Sequence, residues 1–345
     1  MARIFVLGGG LVGRFVACIL HERGHSVHVI DAAPMHGMPH GIETTQAFIN
    51  PDSIAETVAG SDVVVNCLPG RIGHAVRAPL LSIEGMNVAD LAFTAEDPRT
   101  YEELANKMNS RLVYDIGIAP GLSNALLKSA QLEMGHLSSA KIWVGGNPQT
   151  PDEEWSYMAP FSPSDVIEEY TRPARFRRGG EMVTEPALSE RHLVDVPKYG
   201  QMEAFLTDGV RSLLDTIDSE ELVEYTVRWP GHIQRYIDGD DSEEELIEAW
   251  KFDEERPEFT WLAVESSNEL TTTRLDLIDE GKDGWSSMAR TTGLVTVEVA
   301  EMLAEGCIPE CSVMPPERLG EDPKLLKRLM DSMLKEGVQI HSSSL

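Results

Sequence analysis

Basic residues are scarce in this chain. Lys and Arg total 29 against 57 Asp and Glu, a formal net charge of −28 over 345 residues. Such a field repels nucleic acid and anionic membrane, and no basic patch stands out, so neither is expected as a partner. Long apolar runs are missing too, with no stretch of about 18 apolar residues to span a bilayer. The N-terminus enters a strand without the basic flank and apolar core of a secretory signal, which predicts a cytoplasmic protein. Cysteine is limited to 4 residues. Cys18 and Cys67 are isolated in apolar segments and Cys307 and Cys311 are close in sequence, a poor disulfide framework and an incomplete metal set. Reduced thiols and no metal are expected, with a Cys307/Cys311 redox pair as the alternative.

What remains is an ordinary globular composition, 42% hydrophobic and 25% charged, long enough for two domains at roughly 150 residues each. The stretch that orders it is the first. An apolar strand from Ile4 to Leu7 runs into Gly8-x-Gly10-x-x-Gly13, a helix carries apolar residues at Leu11, Val12, Phe15, Val16, Ile19 and Leu20, and a second strand ends on Asp31. This is a βαβ unit with the dinucleotide fingerprint. Gly8 allows the tight turn, Gly10 lets the backbone approach a pyrophosphate at the helix N-terminus, and Gly13 lets helix pack on strand. Gly8, Gly10, Leu11, Val12 and Gly13 are therefore the candidate cofactor cradle. Asp31 falls where a carboxylate accepts hydrogen bonds from a ribose 2′-OH and repels a 2′-phosphate, which predicts NAD over NADP. The alternative is a glycine-rich turn that binds nothing.

Further along, Asp62 to Cys67 reads as a buried parallel strand. The loop Leu68-Pro69-Gly70 after it should line the cofactor crevice near the nicotinamide half. Asn87 to Leu91 is a strand with Asp90 near its end, Pro98 to Met108 a helix, and Arg111 to Asp115 a strand leading into the turn Ile116 to Asn124. This alternation predicts a doubly wound parallel Rossmann sheet over 1–122. The texture then changes to alternating strands at Arg191 to Val196, Gln201 to Phe205, Glu224 to Trp229, Phe259 to Val264 and Leu270 to Ile278. A mixed or antiparallel α+β domain over 123–305 is predicted, with Ser242 capping a helix that opens on an acidic run.

Several runs together resemble one family: Asp115-Ile-Gly-Ile-Ala-Pro-Gly-Leu-Ser-Asn124, Val144-Gly-Gly-Asn-Pro148, Phe161 to Arg175, Tyr225-Thr-Val-Arg-Trp-Pro-Gly-His232, and Val313-Met-Pro-Pro-Glu317. They look like the saccharopine dehydrogenase and saccharopine reductase family, and most closely its archaeal-type L-lysine 6-dehydrogenase branch. The resemblance implies a Rossmann domain completed by about 306–345, a central domain that mediates homodimerisation, and NAD-dependent oxidative deamination of the lysine ε-amine to a semialdehyde that cyclises to a piperideine carboxylate. Where saccharopine reductases carry an Asp in the Gly-x-Asp-Pro-Gly turn, this chain has Ala119, which argues against saccharopine as substrate.

Hydride departure from the ε-carbon requires a neutral amine, whose reference pKa is about 10.4, so the site must supply a base. Asp90 and Asp115 at strand ends are the catalytic candidates, strand-end capping being their alternative. Glu169 and Tyr170 are candidate pocket residues, as is Asn124 in the turn. The resemblance assigns the α-carboxylate to Arg228, with Arg172 second. His232 is a candidate proton carrier or a satisfied turn residue. Two other readings stay open: a saccharopine reductase-like NAD(P) enzyme on another amino acid, and a non-catalytic NAD(H) sensor.

Overall fold

The computed structural model describes residues 1–308 and 312–344, so Cys311, and with it the alternative of a Cys307/Cys311 redox pair, lies outside the described residues. The chain divides into two compact units, Met1–Gly117 with Thr292–Pro316, and Ile118–Thr291 with Glu317–Leu345.

The first unit runs β1 (Arg3–Leu7), α1 (Leu11–Glu22), β2 (Ser26–Asp31), β3 (Glu43–Gln46), α2 (Ile54–Thr57), β4 (Val63–Asn66), α3 (Gly70–Leu81), β5 (Asn87–Asp90), α4 (Glu102–Met108) and β6 (Arg111–Tyr114). Ile4, Val6, Leu7, Val63, Val64, Val65, Val88 and Leu112 are closed to solvent, the continuous apolar burial of a parallel sheet covered on both faces. Every pairing is parallel, in the order β3-β2-β1-β4-β5-β6, and Val313–Met314 adds a last strand beside β6. The order reverses between β1 and β4, the place where doubly wound sheets bind ligands. The glycine turn leaves β1 at that reversal.

The second unit contains α5 (Leu122–Met134), β7 (Leu137–Pro148), α6 (Pro163–Thr171), β8 (Ala174–Arg178), β9 (Glu181–Glu185), β10 (His192–Val196), β11 (Gly200–Leu206), α7 (Leu213–Thr216), β12 (Ser219–Arg228), α8 (His232–Asp238), α9 (Glu243–Ala249), β13 (Glu258–Ser267), β14 (Thr272–Asp279) and the start of α10 (Ser287–Glu305). With Val313–Met314 as β15, the chain ends in α11 (Pro323–Lys335) and β16 (Gln339–Ser344). The main path of the sheet is β10-β11-β12-β7-β13-β14-β16, with β8 and β9 attached through β12. It is mixed: β12 and β7 are parallel, the other pairs antiparallel. Ser242 caps α9 as its spacing suggested, accepting from the Glu245 N–H while the Glu245 carboxylate accepts from the Ser242 N–H.

One expectation is corrected here. Only 292–316 returns to the first unit, whereas α11 and β16 belong to the second. Leu325, Leu329 and Met333 form the buried stripe of α11, which packs against α5, and β16 pairs with β14. Among the described residues no helix is long and apolar enough to cross a membrane.

Candidate cofactor and substrate sites

In the first unit the two loops expected to hold a cofactor meet. Gly8 adopts φ +97°, and a Cβ there would lie 2.7 Å from the Cys67 carbonyl oxygen and 3.3 Å from the Leu68 nitrogen. The turn after β1 is thus laid against the turn Leu68-Pro69-Gly70 after β4. A Cβ on Gly13 would fall 1.9 Å from the Gly8 oxygen, so only glycine lets α1 sit this close to β1. Gly10 differs: nothing lies within 4 Å of a Cβ built there. It is the N-cap of α1 and carries no side-chain cap bond, which leaves the amides of the first turn, beside half-buried Leu11 and Val12, open to an anion.

Asp31 closes the cradle at the end of β2. Its Oδ2 accepts from the Gly9 N–H at 2.6 Å and its Oδ1 from the Ala33 N–H at 2.6 Å. The carboxylate is therefore fixed over the glycine turn by two backbone amides. An open Gly10, an uncapped helix start and a fixed acid at the second strand end fit a dinucleotide.

Asp90 sits in a buried hydrogen-bonded group. Its side chain is fully closed to solvent; Oδ2 accepts from Arg77 Nε at 2.6 Å, and Oδ1 accepts from Asn66 Nδ2 at 3.1 Å and the Ala92 N–H at 2.8 Å. Arg77, equally buried, also donates to Thr94 Oγ1 and the Ala92 carbonyl, both at 2.7 Å. Burial pushes the Asp90 carboxyl up while Arg77 and the Ala92 amide pull it down. Its buried bonds to Arg77, Asn66 and the Ala92 amide tie the end of β5 to α3 and to the end of β4, an arrangement that fits strand-end capping. Asp115 is 2% exposed and holds φ +54°, a left-handed conformation uncommon outside glycine.

In the second unit the sequence candidates converge at the ends of β7 and β12. Arg228 is 3% exposed. Its Nε donates to Tyr170 Oη at 2.9 Å, Nη1 to the Val227 carbonyl at 3.0 Å and Nη2 to Tyr157 Oη at 3.4 Å, with the Tyr157 ring 4.5 Å from the guanidinium carbon. Among the described residues no carboxylate lies within ion-pair distance of it. Glu169 is near enough for its charge to be felt, but its Oε1 accepts from Thr226 Oγ1 at 2.6 Å. Burial favours the neutral guanidine, and Tyr157, Tyr170 and Glu169 outweigh it, so Arg228 stays charged.

His232 is hydrogen-bonded into this group. Nδ1 lies 3.0 Å from the Trp155 carbonyl and Nε2 3.1 Å from Tyr170 Oη. A carbonyl only accepts, so Nδ1 bears the hydrogen and Nε2 accepts from the tyrosine. Burial first, then the Arg228 charge, lower the imidazole pKa to about 3, so the ring is neutral across the physiological range. Trp155 and Trp250 wall the cluster.

Two candidates stand elsewhere. Asn124 is buried and structural: Oδ1 accepts from the Gly121 N–H and Ser123 Oγ, each at 3.1 Å, while Nδ2 donates to Glu317 Oε2 at 3.2 Å. Arg172 pairs with Asp208 at 3.3 Å and Glu168 at 3.6 Å instead of joining Arg228. Sequence reasoning missed Arg77 and Tyr157. Arg77 lies in α3, a segment read as loop at its start, and Tyr157 sits in an irregular stretch with no periodicity to mark it.

Comparison with known proteins follows the same lines. Residues 117–241 match the model of the Saccharopine dehydrogenase C-terminal domain. Apo histidine-tagged saccharopine dehydrogenase (L-Glu forming) from Saccharomyces cerevisiae superposes with a TM-score of 0.75 at 14% identity, covering 100% of both chains. A looser likeness, TM-score 0.44 at 13% identity, joins 92% of this chain to 98% of dipicolinate-bound dihydrodipicolinate reductase from Paenisporosarcina sp. TG-14. Residues 117–241 thus resemble the saccharopine dehydrogenase C-terminal domain, and from end to end the chain has a fold similar to that of saccharopine dehydrogenase.

Proposed function

We propose that this protein is an NAD-dependent amino-acid dehydrogenase that oxidatively deaminates the ε-amine of L-lysine. The observation that carries the reading is Arg228, a buried cation with no carboxylate at ion-pair distance among the described residues. Burying such a charge costs several kcal/mol unless an anion compensates it, and the carboxylate of an α-amino acid matches the guanidinium fork. Tyr170, held by His232, fixes Nε, and the hydrogens on Nη1 and Nη2 beyond those given to Val227 and Tyr157 remain for that carboxylate. Glu169, half-buried nearby, offers a carboxylate to the amine end of the substrate.

The dinucleotide would be held by the Gly8-to-Gly13 turn, the first turn of α1, Asp31, and the Leu68-Pro69-Gly70 turn. Nicotinamide, when bound, supplies the hydride acceptor. Asp31 supports NAD, because its fixed carboxylate suits a ribose hydroxyl and opposes a 2′-phosphate. The match over 117–241 keeps a second reading, a saccharopine dehydrogenase-like reaction on another amino acid.

Initial rates of NADH formation with L-lysine, other diamino acids and saccharopine separate the two. The lysine reading expects signal with lysine and NAD, and silence with lysine beside activity on another amine would refute it. Asp31→Ala should weaken NAD and narrow its advantage over NADP; equal use of both cofactors by the unmodified protein would remove the assignment of Asp31.

A further inference from the structure

Asn147, near the end of β7, is 2% exposed. Its Nδ2 donates to the Val227 carbonyl at 3.1 Å, and Arg228 Nη1 donates to the same oxygen at 3.0 Å. The amide and the guanidinium therefore lie within two hydrogen-bond lengths of each other. The placement depends on Gly145, where a Cβ would stand 2.3 Å from the Val227 oxygen and 2.9 Å from Asn147 Nδ2. Trp229 Nε1 donates to the Pro148 carbonyl at 2.7 Å and ties the two strand ends together.

With its nitrogen on a carbonyl, the amide cannot be flipped without setting oxygen against oxygen. Asn147 Oδ1 is then a buried acceptor with no hydrogen-bond partner among the described residues. An acceptor left so costs stability. Beside it, Arg228 has more N–H groups than its three described bonds use. One unmatched acceptor next to spare cationic donors is the complement of an ammonium and a carboxylate on one carbon.

We propose that Asn147 Oδ1 and Arg228 together read an α-amino-acid head group, the amide oxygen accepting from the α-ammonium and the guanidinium donating to the α-carboxylate. The assignment rests on the reading above, in which Arg228 takes the carboxylate. It makes Asn147 the residue that distinguishes an amino acid from a plain ω-amino carboxylic acid.

The test compares L-lysine with 6-aminohexanoate, which keeps the terminal amine and the carboxylate and lacks the α-ammonium. With the full chain and NAD, lysine should exceed 6-aminohexanoate in kcat/KM by at least about tenfold, the worth of a hydrogen bond to a charged group. Asn147→Leu should bring that ratio to within about threefold of unity, and Asn147→Thr, whose hydroxyl can donate to the Val227 carbonyl and still accept from the ammonium, should keep a preference for lysine. A ratio that survives in Asn147→Leu, or an equal fall for both compounds, overturns the proposal. If Asn147→Leu does not fold, loss of the ratio in Asn147→Thr overturns it instead. Equilibrium dialysis of the same two labelled compounds reads the ratio without turnover. Preference for lysine that depends on Asn147, with no NADH formed, upholds the head-group site and removes only the dehydrogenase reading. No preference for lysine in the unmodified protein removes the head-group site.

Discussion

Arg77 Nε donates to Asp90 Oδ2 across 2.6 Å, with both side chains fully closed to solvent. A buried pair broken on one side leaves the other charge uncompensated, at about 3–5 kcal/mol. Asp90→Asn should therefore lower the free energy of unfolding by an amount of that order in urea titration. The pH dependence of any residual turnover should stay unmoved. Intact stability with abolished turnover would instead return Asp90 to the chemistry.

The glycines of the first turn should separate folding from binding. Gly10 lies at φ −72° with open space around its missing Cβ, so Gly10→Ala should melt close to the unmodified protein while binding NAD roughly tenfold more weakly, from obstructed approach at the helix start. Gly13→Ala drives a methyl into the Gly8 carbonyl. It should lose about 1–3 kcal/mol through overpacking. Calorimetric melts and NAD titrations of the two variants check the contrast.

Arg228→Met replaces a buried cation that has no carboxylate at ion-pair distance among the described residues by an apolar chain of similar length. Such exchanges are often neutral or stabilising. The expected outcome is unchanged or higher thermal stability, with kcat/KM for L-lysine lowered by roughly 100-fold or more through the lost carboxylate contact. Large destabilisation with unchanged kinetics would make Arg228 a framework residue.

Glu258 should make stability fall with rising pH. Burial, opposed by the Ser287 N–H and hydroxyl, pushes its carboxyl from 4.5 to about 7. The folded state binds this proton more tightly than the unfolded chain, so its contribution is fully present below 4.5 and is lost as pH rises through 7. Glu258→Gln should remove that loss, stabilising at pH 8 relative to pH 5 by on the order of 2 kcal/mol. His232 acts in the opposite sense, its contribution falling away as pH drops from 6.5 towards 3. Urea titrations of both forms across pH 4 to pH 8 resolve the two slopes.

The parallel sheet was legible because its signals are local: apolar runs, glycine spacing and an acid at a strand end each constrain the backbone within a few residues. The Gly179–Gly180 turn that closes β8 onto β9, with φ of +58° and +79°, was readable on the same grounds and was missed. Polar β16 offered no such signal, since only its pairing with β14 makes it a strand.

The sequence by itself determined where the tight glycine turn between β1 and α1 forms, because Gly8, Gly10 and Gly13 act through sterics that depend on their own neighbours in the chain. It also singled out Arg228 through a motif resemblance. Tertiary structure decided what the charged residues do, because the effect of a charge depends on what lies around it in space. Asp90 was bound to Arg77, His232 was held neutral by burial and the Arg228 charge, and Arg228 has no carboxylate at ion-pair distance among the described residues. Asn147 acquired an unmatched oxygen only because β7 and β12 bring its amide and Arg228 to the same carbonyl.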